Sequence, residues 1–241
     1  METLPVLYRD EHLVAVHKPS GLLVHRSPID RHETRFALQL VRDQVGQRVY
    51  PVHRLDKPTS GVLLFALSPE IARELSTQFA EHSMGKTYLA VVRGYCPDSG
   101  SIDHPLTDKA DAIADRNRSQ PRPAQSAHTD YRCLATVELP HAVDRYPQAR
   151  YSLVELLPRE GRRHQLRRHM KHIGHPIIGD AKYGKGVHNR FFREHYACER
   201  LLLACTGMDL LHPVSGEPLQ LRAEPVGSFA RLLDGFGWLL P

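Results

Sequence analysis

A chain of 241 residues is long enough to bury a hydrophobic core, in one large domain or two small ones. Its composition, 41% hydrophobic and 24% charged, is ordinary for a globular protein, and no apolar run approaches the ~18 residues that span a bilayer. The formal charge of +5 at pH 7 is compatible with a polyanionic partner, but its size excludes a protein that is basic over its whole surface.

The first third of the chain combines short strands with a helix. Residues 6–8 and 13–17 are apolar and flank the polar stretch 9–12, which predicts a hairpin followed by a Lys-Pro-Ser-Gly turn. Apolar residues at helical spacing predict a helix over 33–45. The apolar run 62–67 predicts a buried strand that begins soon after Asp56.

A second helix follows that strand directly. Ser68 can cap a helix and Pro69 suits its first position. Apolar residues then recur at i, i+4 and i+8 from Ile71 to Phe79, so we expect an amphipathic helix that ends near Gly85. Further strands are predicted over residues 88–92, 131–138 and 151–157.

The stretch 107–129 differs in kind from its surroundings. It is poor in large apolar side chains and rich in proline, arginine and aspartate, so we expect a long mobile basic loop. Strands resume after it, and therefore it is not expected to separate two domains. The pattern predicts one α+β domain over residues 1–241, without regular βαβ alternation.

Cysteine usage and the chain start bear on the compartment. The four cysteines form no C-x-x-C pair and are too sparse for a disulfide scaffold, so reduced thiols are expected. Acids and bases within the first dozen residues are not typical of a secretory signal. We expect a cytoplasmic protein.

The stretch 159–180 is dense in arginine, lysine and histidine. Apolar residues at 166, 170 and 173 predict a helix with one face on the core. Arg163, Arg167 and Lys171 recur at i, i+4 and i+8 and are expected to share another side. That side is either a solvated surface or a phosphate-binding surface. The histidines show no H-E-x-x-H spacing and have no cysteine close by, so no metal site is predicted.

Asp56 is the residue whose chemistry the sequence leaves most open. It lies between Arg54 and Lys57, just before Thr-Ser-Gly and a buried strand. A turn aspartate that bonds the following amides is one interpretation. An aspartyl-phosphate nucleophile is another, although the D-K-P-T-S-G sequence lacks the D-x-D and the second acid that such enzymes use with magnesium.

Four ordered motifs support a third interpretation. The sequence HRLDKPTSGVLLFA at 53–66 resembles the H-R-L-D-x-x-T-S-G signature of the RluA-type family of pseudouridine synthases. LVAVHKPSGLLVH, GKTYLAVVRG and GRRHQLRRHMKHIGHPIIGDAKYG are similar to the family's other motifs, in the same order. The closing block LLLACTGMDLLHPVSGEPL also resembles the family, with Ala204-Cys205 in place of its usual His-Ala. The resemblance spans nearly the whole chain.

The resemblance implies a catalytic constellation. Asp56 matches the family's nucleophile, Arg167 the arginine that pairs with it, and Tyr88 the tyrosine that lies against the target base. An arginine beside a buried carboxylate would keep it ionised. The isomerisation needs neither a cofactor nor a metal, because no atom is added and no net redox change occurs.

The resemblance also implies how RNA is bound. Arg54 matches the arginine that fills the gap left by a flipped base. His53 precedes it in the same motif and is a further candidate for RNA contact. Arg163, Arg168 and Lys171, with the basic residues 116–122 of the loop, are candidates for the phosphate backbone.

Within the family, the stretches SGLLVHRSPIDRHE, VRDQVGQ and 130–140 most resemble members that modify uridine 65 in the T stem of tRNA. A tRNA partner, no membrane, no obligatory protein partner and a monomer are the expectations. The chain starts at the catalytic domain, so no N-terminal S4-like domain is expected. The family's fold implies a mixed, mainly antiparallel sheet flanked by helices. Ribosomal RNA or another tRNA position as substrate, and a non-catalytic RNA-binding module, remain alternatives.

Overall fold

The computed structural model describes residues 2–26, 32–81, 83–107 and 123–240. These ranges hold five helices and ten strands, and none of the helices combines the length and apolar character that crossing a membrane requires. The strands are β1 (Val6–Arg9), β2 (Leu13–Lys18), β3 (Tyr50–Pro51), β4 (Ser60–Ala66), β5 (Gly85–Arg93), β6 (Ser99–Asp103), β7 (His128–Leu139), β8 (Ala149–Pro158), β9 (Leu203–Leu211) and β10 (Pro218–Arg222). The helices are α1 (Ala37–Val45), α2 (Pro69–Ala80), α3 (Gln165–His172), α4 (Gly186–Tyr196) and α5 (Ser228–Gly235).

All the described strands join one sheet, in the order β1-β2-β4-β9-β5-β8-β7-β6, with β10 beside β9 and β3 beside β4. Every pairing is antiparallel except that of β4 with β9. The predicted α+β class and the mixed, mainly antiparallel sheet are therefore confirmed. Because β9 enters between β4 and β5, the sheet unites the first and last thirds of the chain.

The predicted first hairpin and the apolar strand after Asp56 are present as β1, β2 and β4. Every residue of β2 and β4 is buried, because helices cover both faces of this part of the sheet. Leu13 and Val62 pack on the side of α2, whereas Val14 and Phe65 pack on the side of α1. A strand that is buried on both faces reads as a continuous apolar run rather than as an alternation.

The helix predictions were right in place and wrong at some ends. Helix α1 begins at Ala37 rather than 33, because Phe36 is buried in an extended conformation just before it. In α2, Ser68 Oγ accepts a hydrogen bond from Ile71 N at 3.3 Å, as the capping pattern predicts. That helix ends at Ala80 rather than near Gly85, and Gly85 is already the first residue of β5.

The predicted loop 107–129 falls mainly on residues 108–122, which lie outside the described residues, as does its basic stretch 116–122. Its end was predicted too late, because His128 and Thr129 already belong to β7. Thr129 is fully buried, and its Oγ1 lies 2.9 Å from His169 Nδ1 on α3. Strands β7 and β8 otherwise match the predictions within a few residues.

The two faces of the sheet around β5 and β8 are covered by different helices. Leu166 and Met170 of α3 pack on one face, with Ala90 and Val92 of β5. An aromatic cluster from α4 and α5, including Phe192 and Phe229, covers the other face. Tyr88, Ala90 and Val92 are each two residues apart on β5, so their side chains point to the same face of the sheet. Helix α3 therefore lies on the face that carries Tyr88.

Close contact between β4 and β9 depends on a glycine. Ser60 pairs with Ala204 and Gly61 with Cys205. Gly61 has a φ of 109°, and a Cβ at this position would lie 2.0 Å from the carbonyl oxygen of Cys205. No side chain fits there, so the glycine sets the distance between the strands that bring the N-terminal and C-terminal parts together.

We expect Gly61→Ala to lower the free energy of unfolding by about 3 kcal/mol or more, since it adds a steric clash to an unfavourable φ. Gly46→Ala is the matched control, because Gly46 has a φ of 79° with open space around it. The control should cost only about 1–2 kcal/mol. Urea unfolding followed by circular dichroism measures both, and equal losses would show that the β4–β9 contact can relax.

Candidate active site

The loop between β3 and β4 carries Asp56 and is held in place from below by a buried lysine. Lys18 is fully buried, and its Nζ donates to the carbonyl oxygens of Pro19 at 2.9 Å, Leu22 at 2.7 Å and Lys57 at 3.1 Å. Burial, together with the charge of Arg200, lowers the pKa of Lys18 to about 7, although nearby Asp56 opposes this. Through these three hydrogen bonds, the Lys18 side chain ties the 18–22 turn to the Asp56 loop.

The backbone and the carboxylate of Asp56 have different partners. Its carbonyl oxygen accepts from Thr59 N at 3.0 Å, which forms the turn before β4. Its carboxylate accepts from Arg167 Nη1 at 3.1 Å, and the side chain is 17% exposed. The turn is therefore formed by the backbone, and the carboxylate contacts a cation that lies 111 residues further along the chain.

Arg167 bridges two acids with all three of its guanidinium nitrogens. Nε donates to Asp180 Oδ2 at 2.7 Å and Nη2 donates to Asp180 Oδ1 at 2.9 Å, a bidentate pair, while Nη1 faces Asp56. The side chain of Asp180 is fully buried, and that of Arg167 is 8% exposed. One guanidinium is thus fixed in orientation by Asp180 and presented to Asp56.

Hydrogen bonds and opposite charges keep the Arg167–Asp180 pair ionised despite its burial. Burial alone would lower the pKa of Arg167, but hydrogen bonds and the charges of Asp180 and Asp56 raise it above its usual range. Burial would raise the pKa of Asp180, yet hydrogen bonds from Arg167 and from the amides of Tyr183 and Lys182 lower it. The ion pair therefore persists at neutral pH.

A neutral histidine faces Asp56 from the other side. His164 Nε2 lies 3.8 Å from Asp56 Oδ2, and its Nδ1 lies 3.0 Å from the Tyr183 hydroxyl. Burial lowers the pKa of His164 to about 4, although the charge of Asp56 opposes the shift. The Tyr183 ring also lies 5.2 Å from the Arg167 guanidinium, so it supports both neighbours of Asp56.

Tyr88 and Asp56 line the same cleft, which has a volume of about 320 Å³. Burial raises the pKa of Tyr88 well above its usual value, and the neighbouring Cys205 and Asp56 add to this, so the phenol keeps its proton. Tyr88 pairs across the sheet with Cys205, one of the two residues that replace the family's His-Ala. The Cys205 thiol is fully buried, and burial raises its pKa to about 12.

The basic residues predicted for RNA contact divide into two groups. Arg163 and Lys171 are exposed and Arg168 is half-buried, whereas Arg167 is buried. The prediction that all three of Arg163, Arg167 and Lys171 lie on one helix side is wrong only for Arg163, because Arg167 and Lys171 both lie beside the Tyr183 ring, at 5.2 and 6.0 Å. Helix α3 begins only at Gln165, and His164 just before it has a left-handed φ of 56°, so Arg163 lies outside the helical repeat.

Three residues that neighbour Asp56 in the sequence lie in different surroundings in the fold. Arg54 is exposed and lines the cleft. Lys57 pairs with Glu33 at 2.7 Å. His53 Nε2 accepts from Leu64 N at 2.9 Å and its ring stacks on Phe79, so the structure places it beneath the loop rather than in the cleft.

The sequence reasoning missed four residues that build this site. Asp180 and Tyr183 lie within the motif GHPIIGDAKYG, and Lys18 and His164 lie in HKPSG and GRRHQ, but no role was predicted for them. The available signal was an acid in an otherwise basic stretch. An arginine that is to be buried needs such a partner.

What the arrangement can do follows from its parts. A half-buried carboxylate, oriented by a buried arginine and open to a nucleotide-sized cleft, can act as a nucleophile. A protonated phenol beside it can stack on a planar ring and transfer a proton.

Comparisons with known proteins agree with this geometry. The chain is 57% identical over 235 residues to tRNA pseudouridine synthase C of Pectobacterium carotovorum subsp. carotovorum, covering 98% of this chain and 62% of that protein. It is 52% identical to tRNA pseudouridine synthase C of Vibrio cholerae, covering 98% of this chain and 96% of the relative. The chain thus spans less than two thirds of the first relative and nearly all of the second.

Solved structures show the same fold. Human RNA Pseudouridylate Synthase Domain Containing 4 aligns with a TM-score of 0.75 at 24% identity, over 98% of this chain and 94% of that one. Human RNA Pseudouridylate Synthase Domain Containing 1 aligns with a TM-score of 0.71 at 23% identity, over 98% and 95%. The sequence profile of the RNA pseudouridylate synthase family matches residues 12–172, which include Asp56, Tyr88 and Arg167. The chain therefore belongs to the RNA pseudouridylate synthase family, whose members are isomerases.

Proposed function

We propose that this chain converts uridine to pseudouridine in tRNA, with the Asp56 carboxylate as nucleophile. The contact between Asp56 and Arg167, at 3.1 Å in the cleft that Tyr88 also lines, carries the proposal. The choice of tRNA is supported by relatives named tRNA pseudouridine synthase C that are 57% and 52% identical to the chain.

In this reaction the bond from ribose to base nitrogen breaks and a bond from ribose to base carbon 5 forms; carbon 5 loses its proton and the freed base nitrogen gains one, so the product is an isomer of the substrate. Asp56 attacks the nucleotide and is released when the new bond forms. Arg167 orients the carboxylate through a charge-assisted hydrogen bond from Nη1. Tyr88 lies against the base, and its phenol is the group available for proton transfer.

A uridine in a stem must leave the stack before Asp56 can reach it, which costs a few kcal/mol. Arg54 is proposed to fill the gap, as the resemblance implies. It is exposed and lines the cavities on both sides of Asp56, so its side chain can reach a duplex that lies over the cleft.

Arg163, Arg168 and Lys171 are proposed to contact the phosphate backbone. Arg163 lines the cleft just before α3, and the exposed Lys171 lies near the end of α3 with its Nζ 6.0 Å from the Tyr183 ring. RNA helices are bound mainly through shape and backbone, so a few cations around a cleft suit such a substrate.

The proposal also includes the target uridine, the cellular compartment and the oligomeric state. Uridine 65 of the T stem is proposed because the stretches SGLLVHRSPIDRHE, VRDQVGQ and 130–140 resemble members that modify it. A cytoplasmic monomer is proposed, and all four cysteines are free thiols. Modification of ribosomal RNA or of another tRNA position is the alternative substrate.

The first test uses a tRNA transcript labelled with tritium at carbon 5 of its uracils. We expect wild-type protein to release the label without added metal or cofactor. Asp56→Asn should lower the release at least ~1,000-fold, because an amide cannot act as the nucleophile.

Filter binding of the same transcript is the control for that test, and Asp56→Asn should bind within about twofold of wild type, since ionic contacts to phosphate dominate RNA affinity. Release by both proteins would remove Asp56 from the reaction. Binding without release by wild type would favour a non-catalytic RNA-binding module or a different substrate.

Arg167→Lys should lower turnover by about 100-fold or more, because an ammonium cannot bond both oxygens of Asp180 and also reach Asp56. Arg132→Lys is the matched control, since Arg132 pairs with Glu155 at 3.3 Å on the sheet surface. The control should keep full turnover. Near-normal single-turnover rates for Arg167→Lys would contradict the proposed role of the ion pair, and thermal unfolding of both variants separates a loss of activity from a loss of fold.

Removing Arg163 and Lys171 together (to alanine) should weaken tRNA binding and reduce the slope of log Kd against log salt by about 1.5, as expected for two lost phosphate contacts. Arg190→Ala with Arg193→Ala, two exposed arginines on α4 across the sheet, is the matched charge control. An unchanged slope in the first pair, or the same change in both pairs, would exclude the proposed phosphate surface.

A further inference from the structure

A second cavity, of about 250 Å³, lies at the other end of β5. It is lined by Arg93 and Tyr95 at the end of β5, by the loop 140–148, by the start of β8 and by His188 of α4. Tyr88 and Arg93 are five residues apart on β5, so they point to opposite faces and lie about 17 Å apart along the strand. The cavity is therefore separate from the Asp56 cleft.

A buried histidine in this cavity has one ring nitrogen without a hydrogen-bond partner. His188 is 4% exposed, and its Nε2 is the only buried side-chain nitrogen or oxygen without a partner among the residues that the structure describes. Its Nδ1 lies 2.8 Å from the Tyr151 hydroxyl, whereas Nε2 lies 4.0 Å from Asp144 Oδ2, which is too long for a hydrogen bond. An unsatisfied buried group of this kind costs free energy, and a ligand can recover it.

The cavity also has aromatic walls that face solvent. Tyr95 is 46% exposed and Tyr146 is 52% exposed, and both line the cavity. Arg150 lies 5.3 Å from the Tyr95 ring and Arg145 lies 5.0 Å from the Tyr146 ring. Exposed tyrosines with arginines beside them suit a planar aromatic ligand, because both side chains stack on heterocycles.

The charges around the cavity favour an anion. Asp144 pairs with Lys185 and lies 3.9 Å from Arg93 Nη2, and Arg150 pairs with Glu138 at 2.6 Å. Arg145 adds a further cation, so four basic side chains surround two acidic ones. An anionic group that contacts Arg93 or Arg150 would be attracted, whereas a cationic ligand would not.

We propose that this cavity binds one nucleotide, with its base against Tyr95 and Tyr146, its base edge towards His188 and Asp144, and its phosphate near Arg93 and Arg150. A nucleobase edge carries an N–H donor next to an acceptor. The donor can bond Asp144 Oδ2 and the acceptor can receive a hydrogen bond from His188 Nε2, which lies 4.0 Å from that oxygen. The nucleotide is either a free mononucleotide or an unstacked nucleotide of an RNA. The site is independent of the reaction proposed at Asp56.

Isothermal titration calorimetry with the 5′-monophosphates UMP, CMP, AMP and GMP tests the free form. Wild type should bind at least one of them, and Tyr146→Ala should weaken that binding about tenfold or more, since base–aromatic stacking is lost. Tyr50→Ala is the matched control, because Arg48 lies 5.0 Å from the Tyr50 ring, the same distance as in the Arg145–Tyr146 pair. The control should retain wild-type affinity.

Filter binding of the tRNA transcript tests the second source. If the nucleotide belongs to an RNA, Tyr146→Ala should weaken transcript binding about tenfold relative to Tyr50→Ala, while mononucleotides bind only weakly. Tritium release at saturating tRNA should match wild type in Tyr146→Ala, because this cavity lies away from Asp56. Calorimetry needs no turnover, so a failure here and a failure of the proposed reaction are told apart.

Two outcomes would overturn the nucleotide site. In one, neither mononucleotides nor transcript distinguish Tyr146→Ala from Tyr50→Ala. In the other, sedimentation shows a dimer that only Tyr146→Ala dissociates, with no nucleotide bound, which would make this cavity a contact between two copies of the chain.

Discussion

The site depends on one guanidinium that is shared by two carboxylates. Arg167 is buried, and a buried cation is stable only when its hydrogen bonds are made. Asp180 supplies a bidentate pair, so the remaining nitrogen points in a fixed direction, towards Asp56 at 3.1 Å. The orientation of the Asp56 carboxylate therefore depends on Arg167, which lines the cleft, and through it on the fully buried Asp180.

This arrangement places strict demands on the backbone around it. A Cβ on Gly179 would lie 1.9 Å from the carbonyl oxygen of Arg200. Only glycine therefore allows the backbone just before Asp180 to pack this closely against Arg200. His164 adopts a left-handed φ of 56° at the start of α3, which directs its ring at Asp56 and its successors into a helix. Both features are backbone conformations or contacts that few residues tolerate, and both lie next to residues that contact Arg167 or Asp56.

The sequence predicted the individual elements better than their assembly. Strand β4 and helix α2 were recognisable because continuous burial and the Ser68 cap are local features. The burial of Arg167 could not be predicted from the sequence. It depends on the pairing with Asp180 and on the left-handed conformation of His164 before α3, and helical spacing reveals neither. The location of His53 likewise depends on Phe79, a contact made only in the folded chain.

The position of β9 has a consequence for how the protein is made. Strand β9 pairs with β4 and β5, yet it lies more than half the chain length after β4. Contacts at such separation require long loops to close, which costs entropy and slows folding. A nascent chain that stops before Leu203 carries Asp56, Tyr88 and Arg167 but exposes two unpaired strand edges, and such edges pair readily with other chains. Strand β9, from the last third of the chain, therefore covers the strand edges that β4 and β5 would otherwise leave open.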